Sequence, residues 1–148
     1  MDTKPVEILL VEDRPEDAEM TIMAIKDAKL VNNIHWVEDG EEALDFVFGR
    51  GEYSSRKASS LPSLILLDLK LPKVNGLEVL AQIKKEPLTR KIPVVILTTS
   101  KTSREVKEAY ELGANSYIIK PVDFAKFVTT VRDIGLYWIL VNYFPEDI

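Results

Sequence analysis

The chain has no cysteine, and that absence removes disulfides, thiolate chemistry and cysteine-ligated zinc together. Histidine occurs once, as His35. It falls in a strand-like run and is expected to be structural. Positive charge is not in excess: 19 basic residues face 24 acidic ones, for a net charge of −5. Nucleic-acid binding calls for a basic face, and this balance argues against it. Long apolar runs are missing too. The opening "MDTKPVE" holds no apolar signal region, and no stretch approaches the length of a membrane span. No internal repeat is visible. A cytoplasmic protein with no nucleic-acid or membrane partner is expected.

What is present is ordinary globular composition, 46% apolar and 29% charged over 148 residues. That is enough for one domain with its own core and too little for two. Five apolar runs of strand length recur: Glu7 to Val11, Asn33 to Val37, Ser63 to Asp68, Pro93 to Thr99 and Asn115 to Lys120. They are mostly continuous, not alternating, which suits a parallel sheet covered on both faces. The segments between them carry helix punctuation. Asp39 with Glu42, and Thr102 with Glu105, have capping-box spacing, and Gly113 closes the fourth helical pattern. Asp123 is a further N-cap candidate, with Phe124, Phe127, Val128 and Val131 expected to face the sheet. Strand and helix thus alternate five times, predicting an α/β, doubly wound (βα)5 fold. It would be a flavodoxin-like three-layer sandwich with a five-stranded parallel sheet and an extended C-terminal helix. One domain over 1–148 is expected, its core about 6–130 and a helical extension about 131–148. The Gly- and Ser-rich stretch 49–62 reads as a surface excursion.

Open sheets of this kind bind ligands beyond the carboxyl ends of their strands. The first strand ends in Glu12 and Asp13, the third in Asp68, the fourth in Thr98 and Thr99, the fifth in Lys120. Three carboxylates and one ammonium leave a charge of −2, which a divalent cation balances. Oxygen donors without histidine or cysteine favour Mg²⁺. An ionised Asp68 beside such an ion and a lysine could accept a phosphoryl group, because in-line transfer needs positioning and charge neutralisation above all.

"LLVEDRPED", "LILLDLKLPKVNGLEVL", "IPVVILTTS" and "ANSYIIKPV" together resemble the response-regulator receiver domain of two-component signalling, over roughly Val6 to Thr130. The spacing agrees, Thr98 lying 30 residues after Asp68 and Lys120 22 after Thr98. The resemblance implies that Asp68 is the phosphoacceptor, charged by a sensor histidine kinase, and that Glu12 and Asp13 hold Mg²⁺, with Mn²⁺ able to substitute. It implies that Lys70 gives its backbone carbonyl to the metal and that Thr98 is the switch hydroxyl, with Thr99 beside it. Tyr117 would be the aromatic whose rotamer follows Thr98, and Lys120 the partner of the phosphoryl oxygens. The Lys120–Pro121 bond is often cis in that family. The domain would catalyse only its own phosphorylation and hydrolysis, and would not be an enzyme in the usual sense. The excursion containing "GEY" and the sequence around Asp68 resemble small stand-alone regulators that partner phytochrome-type sensor kinases. Onward phosphotransfer in a relay and a degenerate scaffolding role are the alternatives. A haloacid-dehalogenase-like enzyme is disfavoured, because it needs a second Asp where Lys70 stands.

Two surfaces are expected to meet partners. In the first helix, if Met20, Ala24 and Ala28 face inward, Ala18 and Ile22 lie near the site rim beside Arg14. The resemblance puts sensor-kinase docking there, with Pro121; a broad core stripe is the alternative. After Val131 the sequence is apolar nearly all round, so the segment either folds back on its own domain or meets another chain. A homodimer through the last helix involving Tyr137, Trp138, Leu140 and Val141 is the favoured expectation. Neutralising Glu12 and Asp13 together is expected to abolish Mg²⁺-dependent phosphorylation and to stabilise the metal-free domain.

Overall fold

A strand β1 (Glu7–Val11) leads into helix α1 (Pro15–Asp27), and the pattern repeats four more times. The remaining elements are β2 (Asn33–Val37), α2 (Gly40–Phe48), β3 (Leu64–Leu67), α3 (Gly76–Lys85), β4 (Val94–Thr98), α4 (Ser103–Glu111), β5 (Ser116–Ile119) and α5 (Phe124–Leu136). This computed structural model describes residues 7–28, 33–55 and 61–138. Leu140 and Val141 of the expected dimer surface, and the helical extension past Trp138, lie outside the described residues. The sheet order is β2-β1-β3-β4-β5, parallel throughout. The order reverses between β1 and β3, so their carboxyl ends open the crevice where such sheets take ligands.

Successive side chains of a strand point to opposite faces, and each central strand feeds two cores. Leu9, Val11, Ile65, Leu67, Val94 and Ile96 pack with Val79, Leu80 and Ala109 of α3 and α4 and with α2. Ile8, Leu10, Leu64, Leu66, Val95 and Leu97 pack with Ala18, Ala24 and Ile25 of α1 and Phe127, Val131 and Ile134 of α5. All four residues of β3 are buried. That is the physical reason its sequence is continuously apolar. The edge strand β2 carries the polar residues instead. There His35 stacks on Phe46 and meets the Tyr53 hydroxyl at 3.0 Å, the structural role expected of it. Tyr53 belongs to a short 3-10 turn, Gly51–Tyr53, that begins the excursion.

The predicted caps form. Asp39, Thr102 and Asp123 each accept a backbone N–H from the third residue on, and Gly113 takes a φ of 106°. Three expectations are corrected. Ala18 is fully buried, so it belongs to the core and not to a docking rim. The inward stripe of α1 is Ala18, Thr21 and Ile25 with Ala24. Thr21 can join it because its hydroxyl donates to the Asp17 carbonyl at 2.7 Å, a bond invisible to a reading by apolarity. Ile22 is only half-buried and packs beside that stripe. Phe124 is 59% exposed, because the first turn of α5 starts at the carboxyl edge, where no sheet lies beneath it. No described peptide bond is cis, so Lys120–Pro121 is trans.

Candidate functional site: an acidic cleft at the strand ends

Backbone hydrogen bonds carry the sheet one residue past its formal ends. Glu12 N–H donates to the Val37 carbonyl, Asp68 N–H to Val11 and Lys120 N–H to Thr98, at 3.1, 3.1 and 2.7 Å. These bonds bring side chains from distant parts of the sequence onto one edge. Carboxylate oxygens of Glu12, Asp13 and Asp68 lie within 4.8 Å of one another. Glu12 and Asp68 are buried and Asp13 is exposed. The Lys120 Nζ sits among them, 2.5 Å from Glu12 Oε1 and 2.9 Å from Asp68 Oδ2. The other oxygen, Asp68 Oδ1, accepts the Lys70 N–H at 3.3 Å. The Lys70 side chain is exposed.

One member of this cluster has no signal in the sequence. Asp17, in the first turn of α1, accepts from Lys120 Nζ at 2.9 Å. The Arg14 Nε lies 3.8 Å from the same Asp17 oxygen. Four carboxylates therefore face two cations, and the local charge stays at −2, as the smaller set had suggested. Burial, opposed by Lys120 and reinforced by Asp68, pushes the Glu12 carboxyl up to about 7. Burial alone would lower the Lys120 ammonium, but hydrogen bonds to Glu12 and Asp68 overcome it and hold its pKa above the usual lysine range. The two shifts differ in origin: burial raises Glu12, while the carboxylates around Lys120 raise the lysine. A buried, oxygen-rich and under-neutralised cluster is what a hard divalent cation fits, and Mg²⁺ or Mn²⁺ suits its donors.

The remaining positions differ in exposure. Thr98 is fully buried, its Oγ1 accepting the Ser100 N–H at 3.3 Å. Thr99 is exposed and makes no side-chain hydrogen bond among the described residues. Tyr117 is half-buried, with its hydroxyl donating to the Ser100 carbonyl at 3.0 Å. Burial raises its phenol, with Glu105 and Asp68 adding to the effect against the hydrogen bond to Ser100. Trp36, which sequence reasoning also missed, donates its indole N–H to the Glu12 carbonyl at 2.7 Å and braces the acidic pair from β2. Arg14 is exposed and Pro121 half-buried, and Val122 and Phe124, which follow Pro121 in the chain, are exposed.

Fold and cleft together define a class: a flavodoxin-like α/β domain with an acidic divalent-cation site at its topological switch point. The profile of the response regulator receiver domain matches residues 8–132. The chain belongs to that family, and is a receiver domain of two-component signalling. Among curated relatives, the probable methanogenesis regulatory protein FilR2 of Methanothrix harundinacea (strain 6Ac) is 42% identical over 141 residues, covering 95% of this chain and 88% of FilR2. Response regulator Rcp1 of Synechocystis sp. (strain ATCC 27184 / PCC 6803 / Kazusa) is 39% identical over 135 residues, covering 91% of this chain and 90% of Rcp1. The crystal structure of the Mn²⁺-bound form of Rcp1 is similar at a TM-score of 0.89 and 38% identity, over 95% of this chain and 99% of that one. The phosphorylated cyanobacterial phytochrome response regulator RcpA gives a TM-score of 0.90 at 36% identity, over 96% and 99%. Among the described residues no helix is long and apolar enough to cross a membrane.

Proposed function

We propose that Asp68 is the phosphoacceptor of this receiver domain and takes its phosphoryl group from a phosphohistidine on a sensor histidine kinase of the phytochrome type. The observation that carries this reading is the placement of Asp68. It is 7% exposed, with one oxygen on Lys120 and the other at the backbone N–H of Lys70, facing the acidic pair. An Asp68 oxygen forms the new O–P bond as the P–N bond to the donor imidazole breaks, and the imidazole nitrogen keeps that electron pair. Mg²⁺, when bound, supplies charge neutralisation at the phosphoryl oxygens. Glu12 and Asp13 would hold it with Asp68 and the Lys70 carbonyl. Lys120 turns its ammonium toward the phosphoryl oxygens, and the Thr98 hydroxyl follows. The motion passes to Tyr117 and so to the surface of α4 and β5.

The kinase-docking surface follows the exposed rim, Arg14 and Pro121 with Val122 and Phe124, and excludes Ala18. The phytochrome-type partner is supported by the likeness to RcpA. Homodimerisation through the end of α5 is supported by Tyr137, which is 51% exposed and lies edge-on to Trp138. Incubation with Mg²⁺ and a small acyl phosphate, read by intact mass, tests the central assignment. One phosphoryl group should be gained by the wild type and none by Asp68→Asn. Equal incorporation by that variant would place the acceptor elsewhere.

A further inference from the structure

Three elements meet at Ser100, a residue only 6% exposed. Its N–H donates to Thr98 Oγ1, its carbonyl accepts from the Tyr117 hydroxyl, and its own hydroxyl donates to Glu105 Oε1 at 2.5 Å. Glu105 stands in the first turn of α4, three residues after the N-cap Thr102. In a capping box such a glutamate reaches back to the backbone N–H of the N-cap. Here Thr102 keeps its half, accepting the Glu105 N–H at 3.3 Å. The glutamate carboxylate is used elsewhere: the same Oε1 takes the Ser100 hydroxyl and, at 3.1 Å, the Thr102 hydroxyl. Glu105 also lines an open cleft of about 510 Å³ together with Asp13, Lys70 and Asn75, beside the acidic site.

We propose that Glu105 is a positioning residue for the switch: by fixing Ser100 it sets the carbonyl on which the Tyr117 hydroxyl rests, and so joins the first turn of α4 to Thr98. The inference rests on the receiver reading above and adds the part that carries the signal outward. A Thr98 hydroxyl drawn to a phosphoryl group on Asp68 shifts its bond to the Ser100 N–H. With the Ser100 side chain held by Glu105, the displacement is passed to α4 as well as to Tyr117. Without Glu105 the β4–α4 loop relaxes alone.

A residue that only capped α4 would make Ser100→Ala silent, because that change leaves Thr102 and both backbone groups of residue 100 in place. The proposal requires the opposite. Protein labelled with 3-fluorotyrosine, with the Tyr117 resonance assigned through Tyr117→Phe, reads the ring by ¹⁹F NMR before and after treatment with Mg²⁺ and an acyl phosphate. Ser100→Ala and Glu105→Ala should each raise the solvent-like population of Tyr117 on the order of tenfold, the scale of a lost charge-assisted hydrogen bond. Glu105→Gln, which keeps a neutral acceptor, should fall between them and the wild type. A Tyr117 resonance unchanged in folded Ser100→Ala overturns the proposal, and this arm stands even where Glu105→Ala does not fold. Failure of the wild type to gain phosphoryl mass would overturn the receiver reading instead, while the unphosphorylated spectra still decide the role of Glu105.

Discussion

Asp17 Oδ2 lies 2.9 Å from the Lys120 Nζ, across 103 residues of sequence. The ammonium that would meet the phosphoryl oxygens is therefore shared with α1, the helix at whose start Arg14 flanks the cleft. The Asp17 side chain is 14% exposed, so its bond to Lys120 is only partly screened by water. Asp17→Asn should cost about 1.5–3 kcal/mol of stability, as for one hydrogen bond to a charged group. It should keep phosphorylation of Asp68, because Glu12 and Asp68 still hold the lysine. Urea unfolding and intact mass read the two effects. Complete loss of phosphorylation would make Asp17 part of the transfer machinery and not a tether.

The Glu12 carboxyl, raised from 4.5 to about 7 by burial, ties stability to pH in a defined direction. A folded-state value above the unfolded one means that the stability from this group is fully present below 4.5 and is lost as pH rises through 7. In a chelator at about pH 8, Glu12→Gln should then exceed the wild type by on the order of 3 kcal/mol, the gap closing as pH falls toward the unfolded value. Asp13→Asn, at an exposed site, should stay within about 0.5 kcal/mol of wild type. The stabilisation expected from neutralising the pair thus comes from Glu12 and its burial, not from repulsion between the neighbours. Both variants should lose Mg²⁺ binding. Trp36, bonded to the Glu12 carbonyl, offers a fluorescence reading of it. A wild-type stability that rises with pH relative to Glu12→Gln would reverse the assignment.

Tyr137 is half exposed, while Trp138 also packs against the core shared by α1 and α5. Tyr137→Glu is therefore the cleaner probe of self-association, since it changes the surface without opening the core. Sedimentation velocity should show a dimer for the wild type and a monomer for the variant. The same sedimentation coefficient for both would remove the end of α5 from any interface.

The sheet and the acidic site were legible because their signals are local. Continuous apolar runs mark the strands, and each strand's last residues declare their chemistry. Asp17, Glu105 and Trp36 were not legible in their roles. Each acts through a partner brought close only by the fold, Lys120 for Asp17, Ser100 for Glu105 and the Glu12 carbonyl for Trp36. Ala18 was misplaced for a related reason. The inward stripe of α1 passes through Thr21, whose hydroxyl is satisfied by its own helix.

Asn75–Gly76, at the start of α3, couples local backbone demands to the site. Asn75 caps α3 by accepting the Glu78 N–H at 3.0 Å, a role an aspartate fills equally well. Gly76 has no substitute. A Cβ there would stand 2.3 Å from the Asp68 carbonyl oxygen and 2.5 Å from Leu69 Cα, both backbone atoms that cannot swing aside. The close approach lets the Gly76 N–H reach the Leu69 carbonyl at 2.8 Å, docking α3 against the segment that presents Asp68. Asn75→Asp should therefore change stability by less than about 0.5 kcal/mol. Gly76→Ala should cost about 3 kcal/mol or more, lowering Tm by roughly 6–12 °C. Because the displaced atoms belong to Asp68 and Leu69, phosphorylation by an acyl phosphate should slow well below the folded temperature limit. A Gly76→Ala protein with wild-type Tm and rate would show that the turn beside Asp68 yields to a methyl group, and that its rigidity is not what aims the carboxylate.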